Sequence, residues 1–158
     1  MKIFDIGSEQ AMEAFGAAIA RATAGNVRIY LSGELAAGKT TLARGYLRAR
    51  GHAGAVKSPT FTLVESYELD GRMVHHFDLY RIADPEELEY IGLDEYFEAG
   101  ADCLVEWPRR GNGVLPAADL DISLEVRESA RRARVTAATE DGHNLLEEIG
   151  KMYLNSSI

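Results

Sequence analysis

The stretch Gly33-Glu34-Leu35-Ala36-Ala37-Gly38-Lys39-Thr40 fits the pattern G-x-x-x-x-G-K-[ST], and no other part of the 158-residue sequence limits the fold so tightly. A short apolar run, Val27 to Leu31, precedes it and reads as a buried strand. Lys39 to Arg50, ended by Gly51, reads as the helix that follows. Glycines let such a loop curl so that its amides face phosphates, and the helix start adds a field that favours anions. Lys39 is then placed to reach the β- and γ-phosphates, and the Thr40 hydroxyl to ligate Mg²⁺. A chance match in a chain of this length arises roughly once in two hundred sequences, and the strand-loop-helix context lowers that further. No Asn-Lys-x-Asp guanine-reading motif occurs, which favours ATP over GTP.

The rest of the chain reads as one α/β domain over residues 1–158, of a length and apolar content (46%) that bury an ordinary core. Ser8 can cap a helix with Met12, Phe15 and Ile19 on its apolar face and Gly25 as its stop. Thr60 to Tyr67 and Met73 to Asp78 are strand-like runs flanking Asp70-Gly71, a strong hairpin signal. Asp84-Pro85-Glu86-Glu87 opens a helix that Gly92 interrupts before Phe97. Asp102 to Glu106 suits a central parallel strand, and Leu120 to Val126 alternates like a strand with one covered face, with Arg134 to Ala138 returning beside it. Asn144 to Leu154 reads as a terminal helix. The lone cysteine, Cys103, excludes a disulfide within this sequence and reads as a buried strand thiol. A net charge of −8 opposes direct, tight binding to a nucleic-acid backbone. The N-terminal residues lack the apolar run of a signal peptide, and no stretch is long enough to span a bilayer, so a cytoplasmic protein is expected.

A phosphate loop that holds Mg²⁺ needs a carboxylate at the end of a nearby strand. Asp78 follows Met73 to Phe77, and Glu106 follows Cys103-Leu104-Val105; both are expected at the carboxyl edge of the sheet, Asp78 holding the metal and Glu106 assisting it or activating the attacking water. Ser58-Pro59-Thr60-Phe61-Thr62 lies where several P-loop proteins sense the nucleotide. The Thr60 and Thr62 hydroxyls could meet the γ-phosphate or metal, or serve only strand propensity. His75 and His76 point to opposite faces of a strand, cannot easily chelate one ion, and read as structural. Trp107 reads as a packing residue placed to report on the site. Arg127, Arg131, Arg132 and Arg134 form the only basic cluster, either a solvated turn or a contact to adenine, phosphate or a partner.

In this order, Gly33 to Thr41, Ser58-Pro59-Thr60-Phe61-Thr62-Leu63-Val64, His76-Phe77-Asp78-Leu79-Tyr80-Arg81, Asp84-Pro85-Glu86-Glu87-Leu88 and Leu104-Val105-Glu106-Trp107 resemble the TsaE (YjeE) family over nearly the whole chain. The resemblance implies a P-loop NTPase-like domain whose central strands are parallel, with antiparallel additions and helices on both faces. It implies an ATPase required for N6-threonylcarbamoyladenosine formation in tRNA, acting on the complex of TsaD and TsaB, with tRNA met only indirectly and no membrane involved. Lys39 and Glu106 match the family's catalytic positions, Thr40, Asp78 and Glu106 its magnesium positions, and Thr60 and Thr62 its switch-like segment. Glu34, Leu35, Ala36, Ala37, Gly38, Lys39, Thr40 and Thr41 match its nucleotide loop, while Ser8, Gln10 and Arg131 are candidates for the adenine pocket. Glu34 and Ala36 depart from the Asp and Gly usual in that loop, and Ala36 asks an L-residue to keep the loop's backbone conformation. Two other readings stand beside this one: a small-molecule kinase using the same loop, with the arginine cluster as its lid, and a nucleotide-sensing module without meaningful hydrolysis.

Overall fold

In the computed structural model, which describes residues 1–98 and 100–156, the loop at 33–38 joins a buried strand to a helix, as its spacing predicts. Strands β1 (Lys2–Ile6), β2 (Arg28–Ser32), β3 (Val64–Leu69), β4 (Arg72–Asp78), β5 (Asp102–Glu106), β6 (Leu120–Arg127) and β7 (Ala130–Ala137) form one sheet among the described residues. Their spatial order is β1-β7-β6-β2-β5-β4-β3. The pairs β6/β2, β2/β5 and β5/β4 are parallel, whereas β1/β7, β7/β6 and β4/β3 are antiparallel. This is a parallel centre with antiparallel additions. Every residue of β5 is buried, as expected of a strand covered on both faces.

Three long helices, α1 (Glu9–Ala22), α2 (Lys39–Ala49) and α5 (Glu140–Ser156), cover one face. Phe15, Ile19, Leu42, Tyr46 and Ile149 pack there against Ile29, Leu31, Leu104 and Ile122. The short helices α3 (Glu87–Tyr90) and α4 (Leu93–Tyr96) and a 3₁₀ turn, Pro108–Gly111, lie over the other, where Leu88, Leu93 and Phe97 meet Tyr30, Phe77 and Val105. Ser8 caps α1 by accepting the Ala11 amide at 3.0 Å. In the turn before α3, Asp84 accepts the Glu86 amide at 3.0 Å while Glu87 accepts the Asp84 amide at 3.3 Å, so the helix opens at Glu87 and not at the Asp84-Pro85 step. Cys103 is buried, and burial pushes its thiol up to about 12, so it stays protonated and unreactive at neutral pH.

The structure departs from the sequence expectations in places, among them β7, which starts at Ala130 and not Arg134, and α5, which starts at Glu140 and not Asn144. Residues 60–63 are not strand: Leu63 has φ +71°, its amide bonds Pro59 O at 2.7 Å, and the segment turns before β3 starts at Val64. Helix α1 ends at Ala22, with Thr23 rather than Gly25 as its C-cap. Strand β1 was not anticipated, although Phe4 and Ile6 alternate with polar or exposed neighbours as an edge strand should. The Asp70-Gly71 hairpin is present, with φ +53° and +77°, the paired positive values of a type I′ turn.

Two details of backbone fit generate measurable consequences. Helices α1 and α2 touch backbone to backbone: a Cβ on Gly16 would fall 2.0 Å from Leu42 O, and one on Gly45 would fall 2.0 Å from Glu13 O. Gly45→Ala gains up to ~1 kcal/mol in helix propensity but forces the helices apart, at a cost of about 1–3 kcal/mol or more, so the clash wins. Urea denaturation should show a net destabilisation. In the loop, Gly38 at φ +112° lies where only glycine is comfortable, but Ala36 holds φ +64°. The left-handed conformation costs an L-residue about 1–2 kcal/mol, partly offset by the lower unfolded-state entropy of alanine, worth about 0.4–1 kcal/mol. Ala36→Gly is therefore expected to stabilise the ligand-free protein by about 0.5–1 kcal/mol, read as an increase in the urea midpoint.

Candidate functional site

The parallel register brings the carboxyl ends of β2, β4 and β5 together. Leu31 pairs with Glu106, and Glu106 with Asp78. Because side chains alternate along a strand, Val74, His76 and Asp78 of β4 share a face with Asp102, Leu104 and Glu106 of β5, and that face carries α2. Both candidate carboxylates thus point at the start of α2, where the loop delivers Lys39 and Thr40.

The Thr40 hydroxyl lies 3.1 Å from both Glu106 carboxylate oxygens. The Thr60 hydroxyl donates to Asp78 Oδ2 at 2.9 Å, and the Tyr80 amide donates to Asp78 Oδ1 at 3.0 Å. Lys39 Nζ donates to the carbonyls of Gly33 (2.6 Å) and Glu34 (2.8 Å) and sits 4.5 Å from the centroid of the Trp107 ring. Only 5% of Lys39 is exposed; burial lowers its pKa, against the opposing pull of Glu106, Asp78 and Glu34. The folded chain therefore holds this proton less tightly than the unfolded chain. Stability rises with pH between the lowered value and the ordinary 10.5, and an anion beside Lys39 would reverse that trend.

These groups line a cavity of about 500 Å³. One wall is Leu35 to Thr41; a second comprises Ile6, Ser8, Glu9 and Met12; Ser129 and Arg131 of the β6–β7 turn, together with Ser58, Thr60, Asp78, Glu106 and Trp107, complete it. Helix α2 begins at Gly38 without a side-chain cap, so its first-turn amides are left for an anion. The oxygen donors of Thr40, Asp78 and Glu106 suit Mg²⁺. Among the described residues no three His, Cys, Asp or Glu side chains form a metal cluster by themselves, and Mg²⁺ typically takes one or two carboxylates and completes its shell with phosphate and water.

Of the residues singled out from sequence, the fold gathers Leu35, Ala36, Ala37, Gly38, Lys39, Thr40, Thr41, Ser8, Thr60, Asp78, Glu106 and Arg131 around this cavity. Three lie off it. Gln10 is on the exposed side of α1, Glu34 contributes its carbonyl to Lys39, and Thr62 donates to Glu65 at 2.9 Å. Within the arginine cluster, Arg132 pairs with Asp5, and Arg127 and Arg134 both pair with Glu125. Only Arg131 leans over the loop, 3.4 Å from Ala36 O. Trp107, read as a packing residue, lines the cavity and packs 5.0 Å from the Tyr80 ring centroid. His76, read from sequence as structural, is fully buried with Nε2 2.6 Å from Glu106 Oε2. Its position two residues before Asp78 was the available signal, because that spacing puts both on one face.

Comparison with known proteins agrees with this geometry. A family model described as "Threonylcarbamoyl adenosine biosynthesis protein TsaE" matches residues 6–134. The tRNA threonylcarbamoyladenosine biosynthesis protein TsaE of Haemophilus influenzae is 50% identical over 120 residues, 76% of each chain. Its namesake in Bacillus subtilis is 36% identical over 139 residues, 85% of this chain and 87% of the relative. The crystal structure of Bacillus subtilis YdiB superposes with a TM-score of 0.79 at 29% identity, covering 95% of this chain and 94% of that one. With its phosphate loop, its strand-end carboxylates and a family match over residues 6–134 in agreement, the chain belongs to the TsaE family.

Proposed function

We propose that this chain binds ATP with Mg²⁺ in the cavity above α2 and hydrolyses it in support of threonylcarbamoyladenosine formation in tRNA. The observation that carries the proposal is the convergence of Lys39 and Thr40, at an uncapped helix start, with Asp78 and Glu106 in one cavity. Lys39 would exchange its two carbonyl partners for phosphate oxygens and so recover the charge stabilisation that burial denies it. Mg²⁺, held through Thr40 and Asp78, would supply neutralising charge on the β- and γ-phosphates. Glu106 takes a proton from the attacking water, and Thr60 presents its hydroxyl beside Asp78. Ser8 and Arg131, on the cavity walls, are placed for the nucleoside end.

The name of the relatives, taken with a net charge of −8, supports a protein that acts on a tRNA-modifying complex, TsaD with TsaB, and meets tRNA only through it. A cytoplasmic location fits that role, and no helix among the described residues is long and apolar enough to cross a membrane. We read residues 1–158 as one domain. A kinase lid would need several arginines free over the cavity, and three of the four in the cluster are engaged elsewhere.

Lys39→Ala should weaken ATP binding at least tenfold, about 1.4 kcal/mol, measured by calorimetry. Glu106→Ala should bind ATP but lose hydrolysis by about 10²–10⁴-fold; unchanged turnover would remove Glu106 from the chemistry. In cells depleted of this protein, mass spectrometry should find threonylcarbamoyladenosine lost from tRNA, restored by the wild type and not by Lys39→Ala. Unaltered levels after depletion would refute the role in the pathway.

A further inference from the structure

His76 is fully buried, and its Nε2 lies 2.6 Å from Oε2 of Glu106, itself only 2% exposed. Among the described residues, Nδ1 of the same ring meets no hydrogen-bond partner. A hydrogen on Nε2 is the placement that satisfies the contact with Glu106. A hydrogen on Nδ1 would be a buried donor without an acceptor, and it would leave the Nε2 lone pair facing a carboxylate oxygen at short range. With the hydrogen on Nε2, the ring donates to Glu106, and only an acceptor lone pair is left unmet. The other side of the carboxylate is held by the Thr40 hydroxyl, 3.1 Å from both oxygens. Glu106 is therefore gripped between a residue of β4 and the first turn of α2.

We infer that His76 is a positioning residue: its Nε2–H holds the Glu106 carboxylate in the orientation from which it acts on water. The inference rests on the reading of Glu106 given above. It follows from the strand alternation, since His76 is registered against Leu104 and its diagonal neighbour on the same face is Glu106. A buried carboxylate with a single remaining hydroxyl donor is free to rotate about its terminal torsion, which has a broad energy well. The loss should fall on turnover and not on nucleotide affinity, because His76 is not among the residues lining the cavity.

Two measurements test this. Long-range ¹H–¹⁵N correlation spectra of the full ligand-free chain, with His76→Gln used to assign the ring, should show the Nε2–H tautomer for His76. In steady-state kinetics, His76→Leu should lower turnover about 10–100-fold, the range for losing a partner that orients a functional ligand, while ATP affinity measured by calorimetry changes less than about twofold. His76→Gln, which keeps an amide donor of similar reach, should recover most of that loss. In a Glu106→Gln background, His76→Leu should have no further effect on turnover. An Nδ1–H tautomer, failure of His76→Gln to rescue a protein that binds ATP normally, or an undiminished His76→Leu effect in the Glu106→Gln background would each overturn the assignment. Wild-type turnover in Glu106→Gln alone would instead remove the catalytic reading of Glu106, and this role of His76 with it.

Discussion

Helix α2 is fastened to β5 at both ends, and the site depends on that attachment. At its start, Thr40 meets Glu106; at its end, Tyr46 donates to Asp102 at 2.7 Å and Arg50 bonds the same carboxylate at 3.2 Å. Arg72 of β4 adds a third contact to Asp102 at 3.3 Å. Asp102 has no exposed surface, and a buried carboxylate survives in that state only when paired and hydrogen-bonded. Because Tyr46 and Arg50 both reach this carboxylate from α2 and its C-cap, the cluster fixes the position of α2 along the strand. The close approach of Gly16 and Gly45 fixes it laterally against α1. Thr40 thereby sits at a set height above the sheet edge.

The charge arrangement at the other end follows a different logic. Asp102 faces two arginines, whereas Asp78 and Glu106 face hydroxyls, a backbone amide and an imidazole. Hydroxyl oxygens keep lone pairs while donating, so Thr40 and Thr60 can hold the carboxylates without filling the space a cation would take. Lys39 is drawn away from both acids onto loop carbonyls and shielded by Trp107. Two carboxylates and one desolvated ammonium in a partly closed cavity form a set that neither a simple anion nor a simple cation satisfies. The magnesium-bound polyphosphate proposed above, carrying both signs, would.

Much of the fold could be read from local pattern because local rules and tertiary context agree there. The phosphate loop, the Asp70-Gly71 turn, the Ser8 cap and the short apolar run Cys103-Leu104-Val105 of β5 each have a short-range cause. Residues 60–63 defeated the reading because threonine and phenylalanine carry strand propensity whatever their setting. Here the hydroxyl of Thr60 bonds Asp78, 18 positions later, an alternative to strand pairing that no local pattern reveals. Strand β1 was missed for the opposite reason. Five residues at an edge give too few alternations to stand out, and only pairing with β7 makes them a strand.

The candidate site was legible where one residue type suffices for the chemistry, and illegible where the chemistry lies in a relation between strands. Lys39, Thr40, Asp78 and Glu106 could be named from a motif and from strand ends. His76 was read as structural, since adjacent histidines on a strand argue only that they diverge, although its place two residues before Asp78 puts both on one face. His75 turns to Ser66 and Tyr96 on the far face, and His76 turns inward. What selects His76 is the parallel register that sets β4 beside β5 with Asp78 opposite Glu106. Given that register, period-two spacing assigns each residue of both rows: Val74 and Leu104 to the core beneath α2, Asp102 to its far anchor, and His76, Asp78 and Glu106 to the edge where it begins. The same strands thus serve stability and chemistry on one face, with two residues of separation between them.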